Sequence, residues 1–212
     1  MIAVPVKGLS RAKTRLSPVL SPLERAALTL AMLEDVLDAA LLVPGWETWV
    51  ISPDEAVLEI AARRRARPVP EEKPPLSAAV RQVEAEAEEM QADALAVLLA
   101  DLPLLTSEEL HSGLTTLGSV VLARAASDGG TNLLLRRPPR VIAARFGRES
   151  FEKHLQSAGS KGVPAAVVRS RELATDLDVP GDLVTVLAAG KPGRTRGALM
   201  ELDAAARVVA LA

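Results

Sequence analysis

The sequence predicts an α/β protein: a single domain over residues 1–212 with a mainly parallel, mixed sheet and helices on both of its faces. Three observations carry this. Short apolar runs alternate with helix-like segments through the first two-thirds of the chain, the pattern of strand–helix–strand units. Ala94–Ala100 (ALAVLLA) is continuously apolar over one strand length, as expected where both faces of a parallel strand are covered. Of the 212 residues 49% are hydrophobic, enough to build a sizeable core.

The elements follow in order. Residues 2–6 (IAVPV) read as a buried strand that stops at Lys7. A helix then starts at Ser21. Serine is a good N-cap, Pro22 suits the first helical position, and Glu24 completes a capping box. ETWVIS (47–52) is a strand closed by Ser52-Pro53, DEAVLEIAARRR (54–65) a helix, and RARPVP (65–70) a weak strand. EEKPP (71–75) is a charged, proline-stiffened loop before the helix LSAAVRQVEAEAEEMQA (76–92). After Ala94–Ala100, Thr106 and Glu109 open another capped helix. SVVLARA (119–125) and NLLLRR (132–137) are strands around the turn SDGGTN. A helix near 149–158, a strand at 164–168, a turn at 175–182 and a helix after Pro180 come next. Residues 190–212 read as a basic loop and one terminal helix, and 127–162 as a lobe added to the domain.

Composition excludes several classes. With two Trp, two Phe and no Tyr there are too few aromatic faces to stack nucleobases, and a net charge of −2 gives no global field for nucleic acid. With no cysteine there is neither a disulfide framework nor a thiolate metal site. The N-terminal apolar run is too short for a signal peptide, and its cations follow rather than precede it. No apolar stretch is long enough to span a bilayer. A cytoplasmic protein without membrane or nucleic-acid partners is expected, monomeric or homodimeric.

Ligands of open α/β sheets bind beyond the carboxyl ends of the strands. Three such places are chemically loaded. Lys7, Arg11, Lys13 and Arg15 follow the first strand, with a single glycine among them. Clustered cations there suit a polyphosphate, or else form a solvated basic loop. Asp101 directly follows the apolar strand, as a turn residue or as a ligand for a hard cation such as magnesium. Asp176 and Asp178 alternate, which puts two carboxylates on one face of an extended segment, or else they belong to a turn in which Asp178 or Asp182 caps the helix after Pro180. His111 and His154 lie on helical patterns and read as surface residues. Gly147 and Ser150 precede a helix start, where free N–H groups can meet an anion or Ser150 can serve as an N-cap. Together, a cationic first loop, an Asp after a central strand and a late Asp-x-Asp describe metal-assisted nucleotidyl transfer.

The chain resembles the 2-phospho-L-lactate/phosphoenolpyruvate guanylyltransferase family of coenzyme F-420 biosynthesis. The resemblance rests on an ordered set of segments: VPVKGLSRAKTRLSPVLSPLERAALTLAMLEDVL, VISPD, LLADLP, DGGTNLLL, RFGRESFEKH, LDVPGDL and GKPGRTRGAL. It implies a glycosyltransferase-A-like nucleotidyltransferase fold. It also implies a magnesium-dependent reaction of GTP with a phosphorylated three-carbon acid, whose product passes to the next transferase of the pathway. By the same resemblance Lys7 and Asp101 would be catalytic, Lys7 also meeting the acceptor. Lys13, Arg15 and Ser77 would bind the nucleotide. Thr131, Gly147 and Ser150 would hold the acceptor, and Asp101, Asp176 and Asp178 the metal. Two segments depart from the family pattern. Pro75-Leu76-Ser77 stands where an asparagine is usual after the leucine, and LDVPGD shortens the commoner LDVDTPxD. Two alternatives accompany this reading. One is a related nucleotidyltransferase of other base or acceptor, although the L-A-G-G loop of molybdopterin-dinucleotide and nucleotide-sugar enzymes is not matched by VKGLSRAK. The other is a non-catalytic nucleotide-binding protein.

Overall fold

The computed structural model describes residues 1–73 and 75–211. Pro74, in the loop read from EEKPP, and Ala212, the last residue of the expected terminal helix, lie outside the described residues.

Strands β1 (Ile2–Pro5), β2 (Thr48–Ser52), β3 (Arg67–Pro70), β4 (Leu95–Leu98), β5 (Val120–Arg124), β6 (Thr131–Arg136) and β7 (Ala165–Val168) form one sheet in the order β3-β2-β1-β4-β6-β5-β7. All pairings are parallel except those of β6, which runs antiparallel to both β4 and β5. The segment 127–162, read as a lobe, contributes a strand to the sheet itself. Its strand β6 is woven between β4 and β5, held in place by Leu133, Leu134 and Leu135, which are fully buried.

The period-two alternation of the strands divides the core. Ile2, Val4, Val50, Ala96, Leu98 and Leu133 face one side. There they meet α1 (Pro22–Ala40), α2 (Glu55–Arg63), α4 (Ser107–Thr115) and α6 (Arg171–Ala174). Ala3, Trp49, Ile51 and Val97 face the other side, against α3 (Leu76–Glu89). α5 (Ser150–Ser160) covers Val120, Leu122 and Leu134 on the same side as α3, where Ala144 and Phe146 pack against both clusters. The capping box of α1 is formed: the Ser21 N–H donates to Glu24 Oε2 at 2.7 Å and the Glu24 N–H to Ser21 Oγ at 3.3 Å.

The C-terminal tail departs from the single expected helix. α7 (Pro180–Ala189) is followed by α8 (Arg194–Glu201) and α9 (Ala204–Val209). The last two are separated at Asp203, whose left-handed backbone (φ 49°) stops the run. The basic loop before α8 has a structural role. Asp35 of α1 is buried and accepts hydrogen bonds from the Arg194 and Thr195 N–H groups at 2.8 and 2.9 Å, satisfying free donors at the start of α8. A Cβ on Gly193 would lie 2.9 Å from that carboxylate, which is why the segment carries glycine there. Asp35→Ala should cost about 2 kcal/mol of stability through these orphaned donors, seen as a lower urea midpoint with an unchanged m-value.

Candidate active site

A cleft of about 360 Å³ opens at the carboxyl ends of β1 and β4 and the amino end of the antiparallel β6. Lys7, Arg11, Lys13 and Arg15 line it from the first loop, Leu99–Asp101 from below, and Thr131, Phe146 and Gly147 from the far wall.

The loop after β1 is held by side chains rather than by glycines. Asp54, just past β2, accepts the Leu9 N–H at 3.0 Å while it caps α2 through the Ala56 N–H. Arg25 of α1 is buried and donates to the Ala12 and Leu20 carbonyls. Between two short 3-10 turns, Lys13 takes a left-handed backbone (φ 49°). Its ammonium donates to Asp101 Oδ2 at 2.6 Å and Asp178 Oδ1 at 2.8 Å. The Lys13 side chain is 9% exposed, whereas that of Arg15, 3.9 Å from Asp178 Oδ2, is 62% exposed. The four cations thus divide into one buried lysine and a solvent-facing set.

The aspartates come from two loops tied together by the Leu177 N–H, which donates to the Asp101 carbonyl at 3.1 Å. Burial raises the Lys13 desolvation cost, but the two carboxylates reverse it and lift its pKa. Burial likewise pushes Asp178 up, and Lys13, with Arg15 and Lys7 behind it, more than offsets this and holds the carboxyl low. Asp176 is different. Burial raises its pKa, and the charges of Asp101 and Asp178 add to the rise against the opposing hydrogen bond from Ser127 Oγ at 2.6 Å. The helix cap after these residues is Asp182, which accepts the Asp178 and Val179 N–H groups, leaving Asp176 and Asp178 free to face the cleft.

Among the described residues no three His, Cys, Asp or Glu side chains form a closed metal cage. The donor set nevertheless fits a hard cation. Asp101 Oδ1 and Asp176 Oδ1 are buried with no hydrogen-bond partner, and magnesium characteristically takes one or two carboxylates and completes its shell with phosphates and water.

An elevated Asp pKa has a defined sign. The folded state holds the proton more tightly than the unfolded one, so that contribution is full below the unfolded value of 3.8 and is lost as pH rises through the folded value. The ionised carboxylate is therefore a cost at pH 7. Asp176→Asn should raise stability at pH 7 by about 1 kcal/mol, or roughly 3 °C in melting temperature. The advantage should shrink as pH is lowered toward 3.8, which paired thermal melts would register.

The residues expected on the acceptor side, Thr131 and Ser150, belong to a buried chain with His154. Thr131 and Ser150 are 2% and 0% exposed, and Ser150 Oγ donates to Thr131 Oγ1 at 3.0 Å. Ser150 begins α5 but is not its N-cap. That position is Glu149, and the Ser150 N–H donates to the Gly147 carbonyl. Gly147 has φ +127°, a conformation that disfavours side chains. His154 is not on the surface as its helical pattern suggested. It is fully buried, its Nδ1 lies 3.0 Å from Thr131 Oγ1, and Phe146 meets it edge-on at 5.6 Å. His111 is exposed as expected. Ser77, the second residue of α3, is partly exposed, and its neighbour Leu76 is the residue that lines the cleft. Sequence reasoning missed Asn132. Its amide donates to the Leu173 carbonyl at 2.9 Å, and its buried Oδ1 has no partner. It also missed Ser127 and Asp54. Only the quoted segments DGGTNLLL and VISPD pointed near Asn132 and Asp54.

The chain is similar to known proteins over most of its length. The family described as "Guanylyl transferase CofC like" matches residues 1–208. A phosphoenolpyruvate guanylyltransferase of Sphaerobacter thermophilus is 39% identical over 183 residues, 85% of this chain and 88% of its own length. A 3-phospho-D-glycerate guanylyltransferase of Phenylobacterium zucineum is 39% identical over 196 residues, 89% of each chain. A 2-phospho-L-lactate guanylyltransferase of Haloarcula marismortui is 41% identical over 186 residues, 88% of this chain and 84% of its own. A Desulfovibrio desulfuricans G20 structure assigned as a nucleotide-diphospho-sugar transferase superposes with a TM-score of 0.81 at 17% identity, covering 99% of this chain and 96% of that one. The fold is that of the glycosyltransferase-A-like nucleotidyltransferases. No helix of the described residues is long and apolar enough to cross a membrane.

Proposed function

The chain belongs to the CofC-like guanylyl transferase family, and from that premise we propose that it joins GTP to a phosphorylated three-carbon acid, phosphoenolpyruvate or 2-phospho-L-lactate, giving a guanosine diphospho-acid and pyrophosphate. The product would pass to the next transferase of F-420 biosynthesis. The observation that carries this reading is the buried Lys13 held between Asp101 and Asp178 beneath an outer rim of Lys7, Arg11 and Arg15.

In the reaction an oxygen of the acceptor phosphate attacks the α-phosphorus of GTP. A new P–O–P bond forms, the bond to the β-phosphoryl oxygen breaks, and pyrophosphate leaves with the electron pair. A phosphate monoester is already largely dianionic near pH 7, so no general base has to remove a proton. The protein's task is to bring two polyanions together and to balance the charge gathering on the leaving group. Lys7, Arg11 and Arg15 offer solvent-facing cations at the cleft, and Lys13 a buried one. Thr131 and Gly147 offer a wall for the acceptor. Asp101, Asp176 and Asp178 would hold magnesium, which supplies charge neutralisation of the triphosphate when bound. Leu76 lines the cleft at the start of α3, and it and the adjacent Ser77 are the candidates for base contact.

The test is pyrophosphate release by the purified protein with magnesium. GTP, ATP, CTP and UTP are crossed against phosphoenolpyruvate, 2-phospho-L-lactate and 3-phospho-D-glycerate, with and without the enzyme that consumes the product. The reading expects turnover with GTP and one of the first two acids. Release only with another nucleotide would overturn the base assignment, and nucleotide binding without release would overturn the enzyme reading.

A further inference from the structure

His154 is buried behind Thr131, its Nδ1 3.0 Å from Thr131 Oγ1. The Arg145 N–H donates to His154 Nε2 at 2.8 Å, so Nε2 carries a lone pair and a neutral ring bears its proton on Nδ1. Burial first, then the charges of Arg136, Arg145 and Lys153, push the imidazole pKa down to about 4, which keeps the ring neutral. Nδ1–H then faces Thr131 Oγ1 at 3.0 Å and donates to it. Ser150 Oγ is fully buried and has Thr131 Oγ1 as its side-chain partner at 3.0 Å. Were Thr131 to donate to Ser150, the serine proton would be left without an acceptor in the interior, at a cost of about 1–3 kcal/mol. With Ser150 donating, both lone pairs of Thr131 Oγ1 are filled. Its own proton has no acceptor among the described residues, and Thr131 lines the cleft.

We propose that His154 is a positioning residue that, with Ser150, makes the Thr131 hydroxyl an obligate hydrogen-bond donor toward an anionic oxygen of the acceptor. A free threonine hydroxyl can donate or accept and so tolerates alcohols, amines and anions alike. One whose lone pairs are both occupied accepts nothing, which favours a carboxylate or phosphate oxygen and disfavours a donor group in its place. Phe146, edge-on to the ring and lining the cleft beside Gly147, keeps the imidazole packed while the acceptor side stays open. The proposal rests on the acceptor-site reading above.

The test separates the two ring nitrogens. Asparagine at 154 can place an amide N–H where Nδ1 sits, and glutamine can place its carbonyl where Nε2 sits. His154→Asn should keep the KM for the acceptor acid within about threefold of the parent, whereas His154→Gln should raise it about tenfold, with the KM for GTP unchanged in both. Equal acceptor KM values in the two variants, or a matching rise in the KM for GTP, would overturn the proposal, since a purely structural histidine would produce one or the other. Ring 15N spectra of the full-length parent give an answer that needs no turnover. The chain has two histidines, so His111→Gln assigns the signals. A proton on Nδ1, with the Nδ1 signal moving when phosphoenolpyruvate is added, is the expected result. A proton on Nε2, or signals indifferent to phosphoenolpyruvate in a parent that turns it over, sinks the idea. A parent that releases no pyrophosphate with any acid would instead overturn the function proposed above, while the ring protonation would still decide whether Thr131 is a forced donor.

Discussion

Asp101→Asn should slow pyrophosphate release at saturating substrates by about a thousandfold or more, with a melting temperature within a few degrees of the parent. The small effect on folding follows from geometry. Asparagine has the same shape, its amide oxygen can still accept from the Lys13 ammonium, and Lys13 keeps its second carboxylate at Asp178, 2.8 Å away. The large effect on rate follows from charge. Asp101 Oδ1 is buried without a partner, and the Asp101 charge is also felt by Asp176. An asparagine there presents a weaker oxygen or an N–H where a cation is to be held. Pyrophosphate release at saturating substrates and a thermal melt of the same preparation separate the two quantities. A variant with unimpaired release would remove Asp101 from the reacting centre. One that loses rate and melts far lower would make it a folding residue instead.

The sheet was legible wherever apolar runs were long. β1, β2, β4 and β5 are buried on both faces, and continuous hydrophobicity is what such strands need. The position of β6 was not legible. Its pattern of Leu133 to Leu135 is that of any buried strand, and its insertion between β4 and β5 is decided by pairing with β4, where Leu98 lies opposite Leu133 from 35 positions earlier in the chain. The break between α8 and α9 was missed for a local reason, a single left-handed aspartate inside a run of good helix formers. The charged half of the site was visible because cations and carboxylates at strand ends stand out against apolar sequence. The neutral half was not. His154 sits on an ordinary helical pattern, and its partners, Thr131 and the Arg145 N–H, are 23 and 9 residues away. Spacing suggested that Asp176 and Asp178 share a face. It gave no sign that Lys13, and not Arg15, would be the buried cation beside Asp178.

Lys13→Met should lower turnover by about a thousandfold and, unlike Asp101→Asn, should also destabilise the protein by about 2 kcal/mol, roughly 5 °C in melting temperature. Methionine fills the space of the lysine stem but leaves Asp101 and Asp178, both partly buried, facing one another without the intervening ammonium. The pH dependence has a set form. Asp178 is held low in the parent, so its contribution is present above the unfolded value of 3.8 and is lost as pH falls through the folded value. Lys13 is held high, so its contribution is full below 10.5 and is lost as pH rises through the folded value. The stability deficit of the variant should therefore be flat between those limits and shrink beyond either one. A divalent cation can replace the missing charge. Magnesium or manganese without nucleotide should raise the melting temperature of Lys13→Met more than that of the parent, because in the parent the ammonium already holds Asp101 Oδ2 and Asp178 Oδ1, which the variant leaves open to the cation. Equal metal-dependent shifts in the two proteins would mean that the metal does not take the oxygens Lys13 holds, and Asp178 would have to be given up as a ligand, leaving the unpartnered oxygens of Asp101 and Asp176.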